Sequence, residues 1–467
     1  MLGISKLICK QTASHFRQQQ SIVNQLRYFY FTQKKFEDLN LNKKLIKSLR
    51  DCNYQYLTPC QEISLPVVIE GNNAAILAET GSGKTLVYTT PIVNNFYNNA
   101  DKQGKTRRGA IILTPNKELC SQVYALIRSL EPTYAMRVTR LGQLTSIVDD
   151  ANNRSPDIFL HQNIVSALNW NHFDVVISTP TQLANELAIK SSQELSEIKP
   201  KTLVIDEMDL LLGDVNIAKA TQKILKMLKG DRKGVQSEDP LQYILAGASF
   251  PRKLANNASD QVLKTWFGNL AILETRKLHK LSDSLSHEMI RLSSEETLET
   301  RLEMLSYLLA KKGTKKNIVF CNGGEFIDPI TKFLEEKKFT VFPLHAKMRS
   351  EDRIASIAQF RKEEQGILVT TDLASRGIDI LDVEMIVQFD FAKDATTLLH
   401  RLGRVARVGQ KGLAVSFVQP TDEFLAGEFL RVQETSGNLS EIFSRKRSLR
   451  KRHKVPEDVI VKESQEQ

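Results

Sequence analysis

The sequence predicts an α/β protein of two lobes, each a parallel sheet flanked by helices, with a basic extension at either end. Three observations predict it. At 467 residues the chain is too long for one ordinary core, and about two or three domains are expected. From Phe36 onward, short β-rich apolar runs alternate with helical patterns, as parallel α/β units require. The runs also fall into two sets, with a polar basic stretch between them.

The first set of candidate strands is 74–78, 110–114, 175–178, 203–205 and 243–246, each followed by a polar or glycine-containing turn. The second is 317–321, 340–343, 366–370, 385–389 and 414–418, again with helix-like segments between. Runs so short and apolar suit strands buried on both faces. Residues 276–287, which carry Lys277, His279, Lys280, Ser282, Ser284 and Ser286, read as a linker between a lobe at 36–275 and a lobe at 288–440. The alternative is a surface loop within one domain. Residues 191–201 and 229–240 read as loops of the first lobe.

The formal net charge of +10 favours a polyanionic partner, although a merely basic enzyme has the same balance. Residues 1–35 carry Lys6, Lys10, Arg17, Arg27, Lys34 and Lys35, and the first acid is Glu37. With Ile4, Leu7 and Ile8 on one helical face, this is the composition of a mitochondrial transit peptide; a disordered basic arm is the alternative. The tail 441–467 holds an acid-free run from Arg445 to Lys454, which suits nucleic-acid binding, nuclear import or a solvated tail. The five cysteines, Cys9, Cys52, Cys60, Cys120 and Cys321, include no CxxC pair and read as reduced, mostly buried thiols. No apolar run approaches the roughly 18 residues that cross a bilayer, so no membrane association is expected.

The chemistry starts at Ala78-Glu79-Thr80-Gly81-Ser82-Gly83-Lys84-Thr85, which follows a predicted strand and opens a predicted helix at 86–93. That is the setting of a phosphate-binding loop. Gly81 and Gly83 let backbone N–H groups turn to phosphate without a Cβ in the way. Lys84 supplies positive charge to the β/γ oxygens, and the Thr85 hydroxyl joins a Mg²⁺ shell. The strand 203–205 runs into Asp206-Glu207-Met208-Asp209, and so presents carboxylates at a strand's C-terminal end, where α/β sheets bind ligands. Asp206 suits Mg²⁺, and Glu207 suits the activation of the water that attacks a γ-phosphate. An acidic helix N-terminus is the bland alternative for these residues.

With these motifs in place, the chain resembles the DEAD-box RNA helicases over roughly residues 36–418. The resemblance implies two RecA-like lobes of the P-loop NTPase class, helicase superfamily 2. The family's Q motif stands at Asn53-Tyr54-Gln55-Tyr56-Leu57-Thr58-Pro59-Cys60-Gln61, within about residues 34–62, with Phe36 as the isolated aromatic upstream. It implies that Gln61 reads the adenine edge while Phe36 stacks on the base. Pro115-Asn116-Lys117-Glu118-Leu119, Gly142-Gln143 and Thr179-Pro180-Thr181-Gln182-Leu183 stand where the family grips the backbone of one RNA strand. Here Lys117 replaces an arginine fork and Gln182 loses a charge. Gly247-Ala248-Ser249 replaces Ser-Ala-Thr, and Met208 replaces the alanine of the acidic box.

In the second lobe the resemblance rests on Leu344-His345-Ala346 with Arg353, on the run from Thr371 to Asp379, and on His400-Arg401-Leu402-Gly403-Arg404-Val405-Ala406-Arg407. It implies that Arg404 and Arg407 are arginine fingers, that Asp379 contacts ribose or nearby water, and that Thr371 and Arg376 line the RNA and interlobe surfaces. It leaves His400 either to couple to Ser249 or Asp209, or to be a structural histidine. ATP and Mg²⁺ are the implied cofactors. The implied partner is single-stranded RNA, held with little sequence preference by a chain acting as a monomer. Three roles follow as expectations. The first is a mitochondrial helicase serving RNA metabolism or large-subunit ribosome assembly, with mitochondrial ribosomal RNA and assembly intermediates as partners. The second is a nucleolar helicase. The third is an ATP-gated RNA clamp that unwinds little, motivated by Met208, Gly247 and Gln182.

Overall fold

A computed structural model describes residues 32–79, 81–99, 109–141, 173–229, 240–250, 265–275, 284–372, 380, 383–405 and 411–435. The first lobe contains β1 (Ala74–Leu77), β2 (Ala110–Leu113), β3 (Val138–Arg140), β4 (Val175–Ser178), β5 (Thr202–Ile205), β6 (Gln242–Gly247) and β7 (Ala271–Glu274). These form one seven-stranded sheet in the order β3-β4-β2-β5-β6-β1-β7, and every described pairing in it is parallel. The second lobe contains β8 (Leu285–Arg291), β9 (Lys316–Cys321), β10 (Val341–Leu344), β11 (Gly366–Thr371), β12 (Met385–Gln388) and β13 (Gly412–Val418). Its six-stranded sheet runs β10-β11-β9-β12-β13-β8 and is likewise parallel.

Helices cover both faces of each sheet, so each lobe has two cores. In β1, Ala74 and Ile76 pack into one core and Ala75 and Leu77 into the other, as the two-residue period of a strand requires. The second lobe divides in the same way, with Ile318 and Phe320 of β9 on one side and Val319 and Cys321 on the other. Helix starts follow local chemistry. The Asn116 side chain accepts from Leu119 N–H at 2.8 Å to start Lys117–Leu130, and Asp394 accepts from Thr397 N–H at 2.8 Å to start Ala395–Leu402.

All ten predicted strands are present, with ends shifted by no more than two residues. Three observed strands were not expected: β3, β7 and β8. Each lies at an edge of its sheet, where one side lacks a neighbour; β3 and β8 carry no continuous apolar run, whereas β7 lies in one, 270–273, that is not among the predicted strands. Two other expectations are corrected. The second sheet begins at Leu285, inside the stretch read as linker; residues 276–283 of that stretch lie outside the described residues. Residues 191–201 are not all loop, because Ser191 and Glu194 form a capping box that starts the helix Ser192–Glu197. The predicted helix 86–93 is part of a longer one, Lys84–Asn99. The basic ends 1–31 and 436–467 lie outside the described residues, so the transit-peptide and tail readings are not addressed by the fold. Among the described residues no helix is long and apolar enough to cross a membrane. Cys60, Cys120 and Cys321 are buried free thiols and Cys52 is a half-buried one.

Candidate functional site

The phosphate loop leaves β1 and enters the helix Lys84–Asn99. Gly81 (φ 82°) and Gly83 (φ 87°) are both left-handed, a conformation glycine adopts without strain. A Cβ on Gly83 would lie 2.3 Å from Gln61 Nε2, so that position also needs the missing side chain for space. The loop is braced from the helix Pro59–Ile69. Thr58 Oγ donates to Ser82 O at 2.7 Å, and Gln61 Nε2 donates to Gly83 O at 3.3 Å. Gln61 Oε1 also accepts from Thr58 N–H at 2.9 Å, closing a capping box. One N–H and one lone pair of the amide remain for a ligand. The Lys84 ammonium donates to Ala78 O at 2.7 Å and Glu79 O at 2.8 Å, while Glu79 accepts from the Thr275 hydroxyl at 2.7 Å. Thr80 lies outside the described residues.

Two strands away, β5 delivers Asp206 and Glu207. Glu207 has φ 52° and ψ 51°, a left-handed conformation that costs a non-glycine residue about 1–3 kcal/mol and recurs at functional sites. Its N–H donates to Asp206 Oδ1 at 3.0 Å, and Tyr88 OH donates to Asp206 Oδ2 at 2.7 Å. Burial, then the adjacent charge of Glu207, pushes the Asp206 carboxyl up to about 7. The two Asp206 oxygens form a donor set that suits a hard divalent cation. The Thr85 hydroxyl supplies a third oxygen of the right kind, so the residues present fit Mg²⁺.

The sheet order sorts the remaining sites of the first lobe. Pro115 and Lys117 follow β2, Thr179 and Pro180 follow β4, and Arg140 ends β3 two residues before the undescribed Gly142. These three strands are adjacent at one side of the sheet. The phosphate loop, Asp206–Asp209 and Ser249 follow β1, β5 and β6, which are adjacent in the other half. All emerge at C-terminal strand ends, where parallel sheets bind ligands. Phe36 is 2% exposed and belongs to the same buried cluster as Leu45, Leu49 and Leu57, so its ring is a core element and the expected base stacking draws no support from its surroundings.

Among the described residues, two side-chain contacts that join the lobes stand out. His400 Nε2 and Asp209 Oδ2 are 2.9 Å apart, both largely buried. Arg353 Nε donates to Glu118 Oε1 at 2.7 Å, with the two side chains 18% and 5% exposed. His400 is thus brought to Asp209, one of its two expected partners. Arg404, 5% exposed, lies in the turn just after the helix that carries His400. Thr371 ends β11. Arg376, Asp379 and Arg407 lie outside the described residues.

Some residues of the site were not singled out by sequence. Arg401 is buried and donates to Asp372 at 2.7 and 2.8 Å, to Asn322 Oδ1 at 2.8 Å and to Asp390 O at 2.6 Å, which fixes the helix that presents His400 and Arg404. Its place between two site residues in one motif was the available signal. Glu118 sat inside a recognised motif but was assigned no role, and Tyr88 carried no signal beyond its helical spacing from Lys84.

The comparisons agree with this geometry. The sequence profile described as "DEAD/DEAH box helicase" matches residues 58–257, and the one described as "Helicase conserved C-terminal domain" matches 300–409. The DEAD-box ATP-dependent RNA helicase RhpA of Helicobacter pylori strain B128 is 27% identical over 413 residues, 87% of this chain and 74% of that protein. The ATP-dependent rRNA helicase RRP3 of Saccharomyces cerevisiae is 27% identical over 404 residues, 86% of this chain and 72% of that one. The solved structure of Mss116p bound to ssRNA and AMP-PNP shares the fold at a TM-score of 0.69 and 21% identity, covering 87% of this chain and 78% of that one. Two ATPase-type parallel lobes with an acidic box and a phosphate loop define the class. The chain belongs to the DEAD-box ATP-dependent RNA helicases.

Proposed function

We propose that this chain hydrolyses ATP when its lobes close over single-stranded RNA, and that it remodels RNA or RNA–protein particles during assembly of the large subunit of the mitochondrial ribosome. The observation that carries the enzymatic reading is the 2.9 Å contact between His400 and Asp209. It draws the turn bearing Arg404 toward the acidic pair of the other lobe, so that one active site is completed by two lobes.

In this reading the N–H groups of residues 79–85 and the Lys84 ammonium hold the triphosphate, and Gln61 offers its remaining N–H and lone pair to adenine. That pattern accepts N6 and N7 of adenine and rejects guanine. Thr85 and Asp206 would hold Mg²⁺, which would supply neutralisation of the phosphate charge. Glu207, its backbone held in a left-handed turn, orients the attacking water and takes its proton. Arg404 and Arg407 meet the charge that develops on the phosphoryl oxygens, and Asp379 binds at the ribose. Pro115, Lys117, Gly142, Thr179 and Pro180, with Thr371 and Arg376 opposite, hold the RNA backbone. Asp209, Ser249, His400 and Arg353 couple that grip to the nucleotide. Contacts of this kind are salt-sensitive and indifferent to sequence.

Residues 1–35 support the mitochondrial location, and a relative named an rRNA helicase supports the ribosomal substrate. The run from Arg445 to Lys454 favours the nucleolus instead. The test pairs an ATPase assay with a strand-displacement assay on the full chain, followed by imaging of tagged protein with and without residues 1–35. RNA-stimulated hydrolysis lost in Lys84→Ala and Arg404→Ala is expected; normal hydrolysis by Arg404→Ala refutes the two-lobe site. Efficient duplex opening removes the clamp reading. A nuclear signal from the intact form removes the mitochondrial one.

A further inference from the structure

Tyr88 lies four residues after Lys84 and three after Thr85, so on the helix Lys84–Asn99 its side chain neighbours each of them. Its ring is fully buried. Its hydroxyl donates to Asp206 Oδ2 at 2.7 Å. The other Asp206 oxygen, Oδ1, accepts from Glu207 N–H at 3.0 Å. The Asp206 carboxylate is therefore held at both oxygens, by a backbone group of its own strand end and by a phenol from the phosphate-loop helix. Buried carboxylates that carry such supports have a fixed plane, whereas one held at a single oxygen can rotate about its χ2 torsion.

We propose that Tyr88 is the positioning residue of the divalent-cation site: its phenol locks the Asp206 carboxylate plane, so that this oxygen donor is set before metal and nucleotide arrive. The proposal rests on the reading of Thr85 and Asp206 as the residues that hold Mg²⁺. Tyr88 itself touches neither nucleotide nor metal; it acts through Asp206. A packing role alone needs only the ring, and phenylalanine supplies that ring without the hydroxyl. The hydroxyl at the buried carboxylate is therefore the informative atom.

The test uses the full chain, a nonhydrolysable ATP analogue and Mn²⁺ as the probe, with bound Mn²⁺ read by electron paramagnetic resonance. Supports of this kind are worth about 10–100-fold in metal affinity. Tyr88→Phe is expected to weaken Mn²⁺ binding to the nucleotide complex about tenfold, while metal-free binding of the analogue stays within about twofold. In activity, the Mg²⁺ concentration for half-maximal hydrolysis should rise by a similar factor, with the rate recovering at saturating Mg²⁺. Replacing Tyr88 with 4-aminophenylalanine, which restores a donor of the same reach, should recover most of the affinity and serves as the reporter if Tyr88→Phe does not fold. Unchanged Mn²⁺ affinity in Tyr88→Phe, or weak binding in a well-folded 4-aminophenylalanine protein, overturns the role of Tyr88 and leaves the site reading standing. Failure of the unaltered protein to bind Mn²⁺ with the analogue overturns both.

Discussion

A Cβ placed on Gly247 would lie 2.9 Å from Met208 Cγ and 3.2 Å from Asp209 Oδ1. The two departures from the family pattern nearest the acidic box are therefore one exchange of volume, because Met208 fills the space that a residue-247 side chain would take. Met208 is fully buried against the first lobe's core. Gly247→Ser alone should overpack this point and cost about 1–3 kcal/mol. Met208→Ala alone should leave a cavity and cost about 2–5 kcal/mol. Together they should cost at least about 1 kcal/mol less than the sum, since the two sites touch. Urea denaturation of the four proteins measures the coupling, and simple additivity would show that the two positions are independent. The double variant also returns the serine hydroxyl to the neighbourhood of Asp209, so strand displacement per ATP should rise if the exchange had favoured clamping.

The pair Arg353–Glu118 joins the lobes at a partly buried point, where removing one partner strands a charge. Arg353→Ala should raise the RNA concentration for half-maximal ATPase stimulation about tenfold, equivalent to about 1.4 kcal/mol of lost closure. The swap Glu118→Arg with Arg353→Glu should regain part of it. If the swap is no better than either single change, the pair does not hold the lobes together.

Gln61 serves two structures at once, the capping box of its helix and the brace on Gly83 O. Gln61→Glu keeps an acceptor for Thr58 N–H but has no N–H for Gly83 or for adenine. The melting temperature should stay within a few degrees of the unaltered protein's, while KM for ATP rises several-fold and the preference over GTP shrinks. Steady-state kinetics with both nucleotides check this.

His287 in the second lobe faces the Ser416 hydroxyl at 2.8 Å and the Phe429 ring at 5.2 Å, and its Nδ1 makes no hydrogen bond. Ser416 already receives the Gln388 side-chain N–H, which leaves its own proton for a neutral imidazole. Burial lowers the His287 pKa from 6.5 to about 4. The unfolded chain then takes up a proton before the folded one does. Stability from this group is fully present above about pH 6.5 and is lost as pH falls through about 4. Between pH 7.5 and pH 5 the loss should be about 2 kcal/mol, and His287→Phe should remove it from the second lobe's unfolding transition. An unchanged acid dependence in the variant would show that other groups govern it.

Much of this architecture was legible because parallel strands buried on both faces leave unmistakable apolar runs, as β1 and β5 do. The edge strand β8, half-exposed and of mixed polarity, left no such mark. The phosphate loop and acidic box were legible because their chemistry is local: Gly81, Gly83, Lys84 and Thr85 act within one turn, as do Asp206 and Glu207. The contacts of Tyr88, Glu118 and Gly247 were not legible, since each depends on a residue far along the chain.

By itself, then, the sequence determined the class of fold, the two-lobe division and the residues of the nucleotide and acidic motifs, because backbone permissiveness, charge and hydrophobic pattern are properties of short segments. Only the tertiary structure decided how they combine. The strand order β3-β4-β2-β5-β6-β1-β7 gathers the loops after β2, β3 and β4 on one side and the loops after β1, β5 and β6 on the other. The meeting of His400 with Asp209 and of Arg353 with Glu118 sets the second lobe against both. Packing makes those choices, because which strand lies beside which, and which side chain fills the space of another, are settled by contacts between residues distant in the chain.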